Sequence, residues 1–311
     1  MKIWSVKDAV TIRKPVATIG IFDGVHVGHR FILEHLKARA DARDGASVVM
    51  TLWPHPRIVL GRDLQQFKLL HTMEEKIREL QKAGIDHLVI VPFTREIASL
   101  TACEFTREYL VDRLGVEVLL LGYDNKFGSD RKGDPEGLAM CALKDDFRIE
   151  KLPALLSEQG SISSTTIRDA ILAGNLEQAR KMLGYHYYLA GIVMEGNRVG
   201  HQIGFPTANL HPGDPNKLIP MNGVYAIRAE LRGEMHEGML NIGFRPTIDS
   251  ASEVKTIEAH LFGLSDELYG EQIVIHFVKR IRDEKKFSGI EALKEQLKKD
   301  ETTVKQLFQL S

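Results

Sequence analysis

Cysteine is scarce in this sequence. The chain has 311 residues and only two cysteines, Cys103 and Cys141. Their spacing makes no metal site, and the pair suits a reducing compartment better than a disulfide scaffold. An excess of either charge is missing as well: 41 Lys and Arg stand against 42 Asp and Glu, for a net charge of -1. A nucleic-acid surface or a membrane-bound face needs a basic field that this chain does not have. No apolar run approaches the roughly 20 residues of a membrane span. The first residues, MKIWSVKDAV, hold no apolar core of signal-peptide length. There is no internal repeat and no low-complexity segment. What is present, 43% hydrophobic and 27% charged residues, is the balance of a soluble globular protein. The expectation is a cytoplasmic chain of two domains whose partners are small molecules, with no nucleic acid and no membrane.

Two halves follow different patterns. In the first, apolar runs (VATIGIF, SVVMTLW, HLVIVPF, VEVLLLG) alternate with segments of helical periodicity such as RFILEHLKARADARDG and TMEEKIRELQKAG. Apolar runs that do not alternate predict strands buried on both faces, hence an α/β fold with a parallel sheet and helices on both sides. After Gly184 the runs YYLAGIVMEG, GVYAIRAELRG, EMHEGMLNIG, TIEAHLF and EQIVIHFVKRIR are broken by Gly, Asn and Asp turns. They predict a small antiparallel barrel or sandwich, closed by a C-terminal amphipathic helix. Between the halves, SSTTIRDAILAGNLEQARKMLG reads as two short helices, capped by Ser163 or Ser164 and by Asn175. The domains are placed at 1–183 and 184–311.

The unusual residues of the first half fall at the carboxyl ends of its predicted strands, where open parallel sheets bind ligands. DGVHVGH follows the first strand, PHP the second, FTRE the third and YDNKFGSDRKGD the fourth. Gly24 and Gly28 let the backbone turn tightly and approach a ligand. His26 and His29, three apart at a helix start, can present two imidazole N–H donors to a phosphate. A folding turn with two surface histidines, or a zinc site short of ligands, remains open on these residues alone. The glycine spacing is neither a P-loop nor a dinucleotide fingerprint. In ISSTTIR, the hydroxyls of Ser163, Ser164 and Thr165 with Arg168 one turn on form a second anion site or an ordinary helix cap.

In the second half, GHQIGFPTANL sets Thr207 and Asn209 two apart. In extended chain they share a side, and their oxygens suit Mg²⁺. A polar turn before a strand is the plainer alternative. Glu258 sits in TIEAHLF with Ile257 and Ala259 facing the other way; it is either a solvated carboxylate or a rigidly held base.

Taken together, GIFDGVHVGH, TLWPHP, LGYDNKFGSDRKGD and SISSTTIR resemble the FMN adenylyltransferase half of the bacterial bifunctional riboflavin kinase/FAD synthetases. GFPTANL, NGVYAI, GMLNIGFRPTI, TIEAHLF, DELYGEQIVIHF and RIRDEKKFSGIEALKEQL resemble the riboflavin kinase half, in the family's order. The resemblance implies a nucleotidyltransferase-type Rossmann-like sheet followed by a six-stranded riboflavin kinase barrel. It implies ATP as co-substrate, Mg²⁺, and riboflavin, FMN and FAD as substrates and products. It assigns His26 and His29 to the ATP phosphates and Ser164, Thr165 and Arg168 to the triphosphate. Asp124 falls in the flavin/nucleotide loop, and Gly204 and Pro206 in the nucleotide-binding stretch of the kinase. Thr207 and Asn209 become the Mg²⁺ ligands and Glu258 the base for the riboflavin 5′-hydroxyl. Three positions depart from the family: Asn125 stands where an aromatic residue is common, and Thr166 and His201 where arginine is common.

Overall fold

The computed structural model describes residues 1–8, 10–61, 67–123, 126–141, 147–153, 162–195, 203–246, 253–264 and 267–309. The chain divides into two compact units, Met1–Ser164 and Thr165–Ser311.

In the first unit, β1 (Lys2–Ser5) and β2 (Pro15–Ile19) precede α1 (Val27–Asp41), β3 (Ala46–Trp53), α2 (Pro56–Val59) and α3 (Met73–Lys82). Then come β4 (His87–Pro92), α4 (Arg95–Ser99), α5 (Ala102–Phe105), a π-helical segment (Thr106–Asp112), β5 (Val118–Leu121), α6 (Pro135–Ala139) and β6 (Arg148–Lys151). The six strands form one sheet in the order β1-β4-β3-β2-β5-β6. Every neighbouring pair is parallel. β2 and β5 are buried along their whole length, as strands covered on both faces must be. One face packs Val16, Val49, Leu88 and Leu120 against Leu33, Leu36 and Ala40 of α1 and Leu80 of α3. The other packs Ala17, Met50, Val91 and Leu119 against Phe105, Tyr109, Leu110 and Leu138. Edge strands β1 and β6 are short and half exposed, too weakly apolar to register as strands in the sequence.

The strand order turns back at β2: the chain runs from β2 to β3 and β4 on one side and then crosses to β5 on the other. The carboxyl ends of β2 and β5 therefore flank the crevice where such sheets take ligands. The turn before α1 lies there.

The expectation of two reduced thiols is corrected: Cys103 on α5 and Cys141 just beyond α6 form a disulfide across 38 residues, with Cα atoms 5.6 Å apart. Composition counts cysteines but says nothing of which helix ends the fold brings together.

In the second unit, α7 (Ser164–Leu172, its first residue shared with the first unit) and α8 (Leu176–Leu183) precede the strands. These are β7 (Tyr188–Met194), β8 (Ala208–Pro212), β9 (Gly223–Leu231), β10 (Glu234–Pro246), β11 (Glu253–Leu261) and β12 (Gln272–Arg282). They close into a six-stranded barrel in the order β10-β11-β8-β7-β12-β9, and all its pairs are antiparallel. α9 (Ile290–Gln309) packs Val304, Leu293, Leu297 and Leu307 into a cluster with Phe205, Ala226 and Met239. Arg282 of β12 fastens the helix through Asp300, with Nη2 2.7 Å and Nε 3.0 Å from the carboxylate. Asn175 caps α8 by accepting from the amide of Gln178, and Gly184 ends it in the left-handed region at φ 82°.

Candidate active sites

The first site grows out of the turn between β2 and α1. Gly24, at φ 85°, takes a conformation that side chains resist. Phe22 and Val25 are driven to positive φ as well, at 51° and 33°, a cluster of strain typical of functional turns. His26 is the N-cap of α1, and its Nδ1 accepts the amide of His29 at 3.3 Å. That bond leaves the proton of a neutral His26 on Nε2. The two rings stack with centroids 3.6 Å apart and 17° between their planes. Gly28 makes room for this: a β-carbon there would lie 3.2 Å from the His26 ring. His29 also leans on Phe22 at 5.0 Å. Its Nδ1 is buried and has no hydrogen-bond partner among the described residues. Burial, with the His26, Lys76 and His71 charges adding to it, holds the His29 pKa well below its ordinary value. At neutral pH the ring is an uncharged donor at a helix N-terminus.

Asp23 organises the floor. Its carboxylate, almost fully buried, accepts the amides of Leu70 at 3.1 Å and His71 at 3.1 Å. This sets the entry to α3, which Thr72 and Glu75 start with a reciprocal capping box. Arg30 of α1 holds α3 from the other side, with Nη2 2.8 Å from Glu79 Oε2.

Ser164, a candidate cap in the sequence, instead donates its hydroxyl to the Asp23 carbonyl at 2.8 Å. Within the first unit this bond ties its last residue, Ser164, to the DGVHVGH turn. Thr165 is exposed and Arg168 buried on the next turn of α7, both in the second unit. Asp124, Asn125 and His201 lie outside the described residues.

The second site lies on three neighbouring barrel strands. Glu258 of β11 is opposite Asn209 of β8 and Asn241 of β10 in the strand register. Ile257 and Ala259 point into the barrel at 5% and 2% exposure, so Glu258 faces outward and is half-buried. Ala208 and Leu210 are buried while Thr207 and Asn209 are half-buried, which puts the last two on the same outer side. His260 donates Nδ1–H to the Pro206 carbonyl at 2.8 Å and stands edge-on to Phe205, fixing the extended stretch against β11. Gly204 is exposed at φ 82°.

Sequence reasoning passed over Asp23, Lys76, Asn241 and His260. Lys76 left a signal, since it precedes Leu80 by one helical turn on the buried face of α3. Asn241 and His260 left only the period of 2 along their strands.

Comparison with known proteins gives two consecutive family matches. A model described as FAD synthetase covers residues 9–166, and one described as riboflavin kinase covers residues 183–308. A Bacillus subtilis protein named bifunctional riboflavin kinase/FMN adenylyltransferase is 38% identical over 92% of this chain and 90% of its own length. An Escherichia coli (strain K12) protein of the same name is 36% identical over 95% of this chain and 93% of its own. A crystal structure described as that of a macrolide-efflux protein from Streptococcus pneumoniae is 33% identical, with a TM-score of 0.86 over 96% of both chains. Among the described residues of the present chain, no helix is long and apolar enough to cross a membrane.

Proposed function

This chain belongs to the bifunctional riboflavin kinase/FMN adenylyltransferase family, and we infer that it carries out both reactions of that name. The second unit phosphorylates riboflavin with ATP to FMN; the first adenylylates FMN with a second ATP, giving FAD and pyrophosphate. The observation that carries this reading is the pair of family matches, in order, over nearly the whole chain.

In adenylyl transfer, an oxygen of the FMN phosphate bonds to the α-phosphorus of ATP while the bond to the bridging oxygen of pyrophosphate breaks. The attacking phosphate is already ionised, so no base is needed and catalysis rests on position and charge. His26 and His29 serve as donors to the transferring phosphate, neither nucleophiles nor zinc ligands. The stacked pair at the α1 N-terminus and the buried, unengaged Nδ1 of His29 support that role. Ser164, Thr165 and Arg168 are assigned to the triphosphate and Asp124 to the flavin/nucleotide loop.

The riboflavin 5′-hydroxyl is a neutral alcohol, and its attack on the γ-phosphorus of ATP, which breaks the bond to the β,γ-bridging oxygen and releases ADP, gains from a base. Glu258 takes that proton. Thr207 and Asn209 fit a magnesium ion by donor chemistry, since hydroxyl and amide oxygens are hard ligands and share one side of the chain. Bound there, Mg²⁺ offsets the charge of the triphosphate; Gly204 and Pro206 shape the stretch that carries it.

We place the functional division at 183/184. Family matches that end at 166 and begin at 183 leave most of α7 and most of α8 between them. α8 lies against β12, and both helices cluster with the barrel. A cytoplasmic location agrees with the use of ATP and flavin.

The test is direct: incubate the protein with riboflavin, ATP and Mg²⁺ and separate the products by chromatography. FMN followed by FAD is expected. FMN alone would remove the adenylyl-transfer assignment, and neither product would leave a flavin-binding protein.

A further inference from the structure

The first unit holds a buried cation. Lys76 is 1% exposed on α3. Its ammonium donates to Thr51 Oγ1 at the long distance of 3.4 Å and lies 5.1 Å from the centre of the Trp53 ring. Among the described residues it is in ion-pair contact with no carboxylate. Thr51 spends its own hydroxyl hydrogen on the Ile21 carbonyl at 3.2 Å. Asp23 attracts the ammonium from a distance, while its oxygens serve the Leu70 and His71 amides. A buried charge with so little direct compensation is expensive, and a perturbed buried group beside a ligand crevice is a candidate for a functional role. Trp53 and Thr51 close β3, beside β2 and the DGVHVGH turn, and the ammonium is close enough to His29 to oppose protonation of that ring.

We propose that Lys76 is a positioning residue of the adenylyl-transfer site, whose buried ammonium, held at Thr51 next to the Ile21 carbonyl that leads into the DGVHVGH turn, supplies a fixed positive charge near the His26–His29 pair and so favours an anionic phosphate against those rings. The proposal rests on the assignment of His26 and His29 to the transferring phosphate. It works through His29: a neutral ring donates a hydrogen bond without itself carrying charge, and the nearby ammonium supplies the field. Burial pushes the lysine down to about 8, against the pull of Asp23, so the ammonium is largely retained at pH 7. The titratable groups bearing on His29 are His26 from its own turn, His71 ahead of α3, and Lys76 itself.

The test uses the full chain with Lys76→Met, which keeps the volume and removes the charge, and Lys76→Gln as a second variant should Met disturb the fold. FMN adenylylation at pH 7 is expected to fall on the order of tenfold, a loss of about one pKa unit's worth of interaction. Riboflavin phosphorylation should stay at the parent rate, and the thermal transition of the first unit should be retained or raised. The discriminating readout is the acid limb of the adenylylation pH profile. Without the ammonium His29 protonates more readily, so the limb moves to higher pH; a merely structural lysine would leave it in place. Parent-like adenylylation, or an unmoved limb, in a folded variant overturns the proposal. His29→Ala run alongside separates the two levels: if it too adenylylates normally, the assignment of the histidines fails first.

Discussion

The rings of His26 and His29 stack at 3.6 Å, and the Nδ1 of the first accepts the backbone amide of the second. The N-cap of α1 is thus itself one of the two groups assigned to the phosphate. One imidazole fixes the helix start and, through it, the position of the other. Loss of the His26 ring removes the cap under His29, whereas loss of the His29 ring spares the cap bond, whose donor is a backbone amide.

Replacing His29 by Ala removes one donor and leaves the cap in place. FAD formation from FMN is expected to fall by on the order of a hundredfold to a thousandfold, the usual loss for one preorganised donor. Riboflavin phosphorylation by the same preparation should not change. Steady-state rates with FMN and with riboflavin as separate substrates check both statements; an undiminished FAD rate removes His29 from the reaction.

Glu258→Gln probes the other unit. The amide keeps the shape of the side chain but takes no proton, so phosphorylation should drop by roughly a hundredfold to ten-thousandfold. FAD should still form when FMN is supplied. If both activities disappear in a folded protein, the two units do not divide the chemistry as assigned.

The sheet and the barrel were legible in the sequence because their strands are apolar runs with period 1 or 2 and their helices have clean periodicity. Strands β1 and β6 escaped because KIWS and RIEK are short and half exposed. His26, His29, Thr207 and Asn209 could be picked out because each pair lies close in sequence. Lys76 and Asn241 could not, since only folding brings α3 beside the DGVHVGH turn and β10 beside Glu258. The bond from Ser164 was not legible either, for a similar reason: its acceptor, the Asp23 carbonyl, is 141 residues away.

Acid should weaken the first unit through His29. Its pKa is lowered from 6.5, first by burial and then by the neighbouring His26, Lys76 and His71 charges. Below about pH 6.5 the unfolded chain therefore binds a proton that the folded chain refuses. The stabilising contribution is complete above that pH and is lost as pH falls toward the folded value. Denaturant titrations between pH 7.5 and 5 should show the decline, less steep in His29→Ala. Equal slopes would mean that other groups account for it.

The Arg282–Asp300 pair is expected to hold α9 on the barrel. Its side chains are 15% and 3% exposed, and Gln296 adds a 2.9 Å bond to the same carboxylate. Asp300→Ala leaves a largely buried guanidinium without its partner, which should destabilise the second unit by about 3 kcal/mol. The double variant Arg282→Met/Asp300→Leu should recover most of that loss, because it removes both charges together. Urea unfolding of the three proteins measures the difference; a double variant no better than the single would place the stability in α9 packing instead.

The Cys103–Cys141 bond closes a loop of 38 residues that contains β5 and the segment leading to α6. Closing a loop of that length restricts the unfolded chain by about 4 kcal/mol in the chain-entropy account. Reduction should therefore lower the thermal transition of the first unit and leave that of the barrel where it is. The same loop continues past the carboxyl end of β5, at the ligand end of the sheet, so local loosening there should also raise KM for FMN while the kinase KM for riboflavin holds. Cys103→Ser reproduces the reduced state without a reagent and separates loss of the bond from side effects of dithiothreitol. If the oxidised and reduced proteins melt together, the bond constrains nothing that the packing of Phe105, Tyr109 and Leu138 does not already hold.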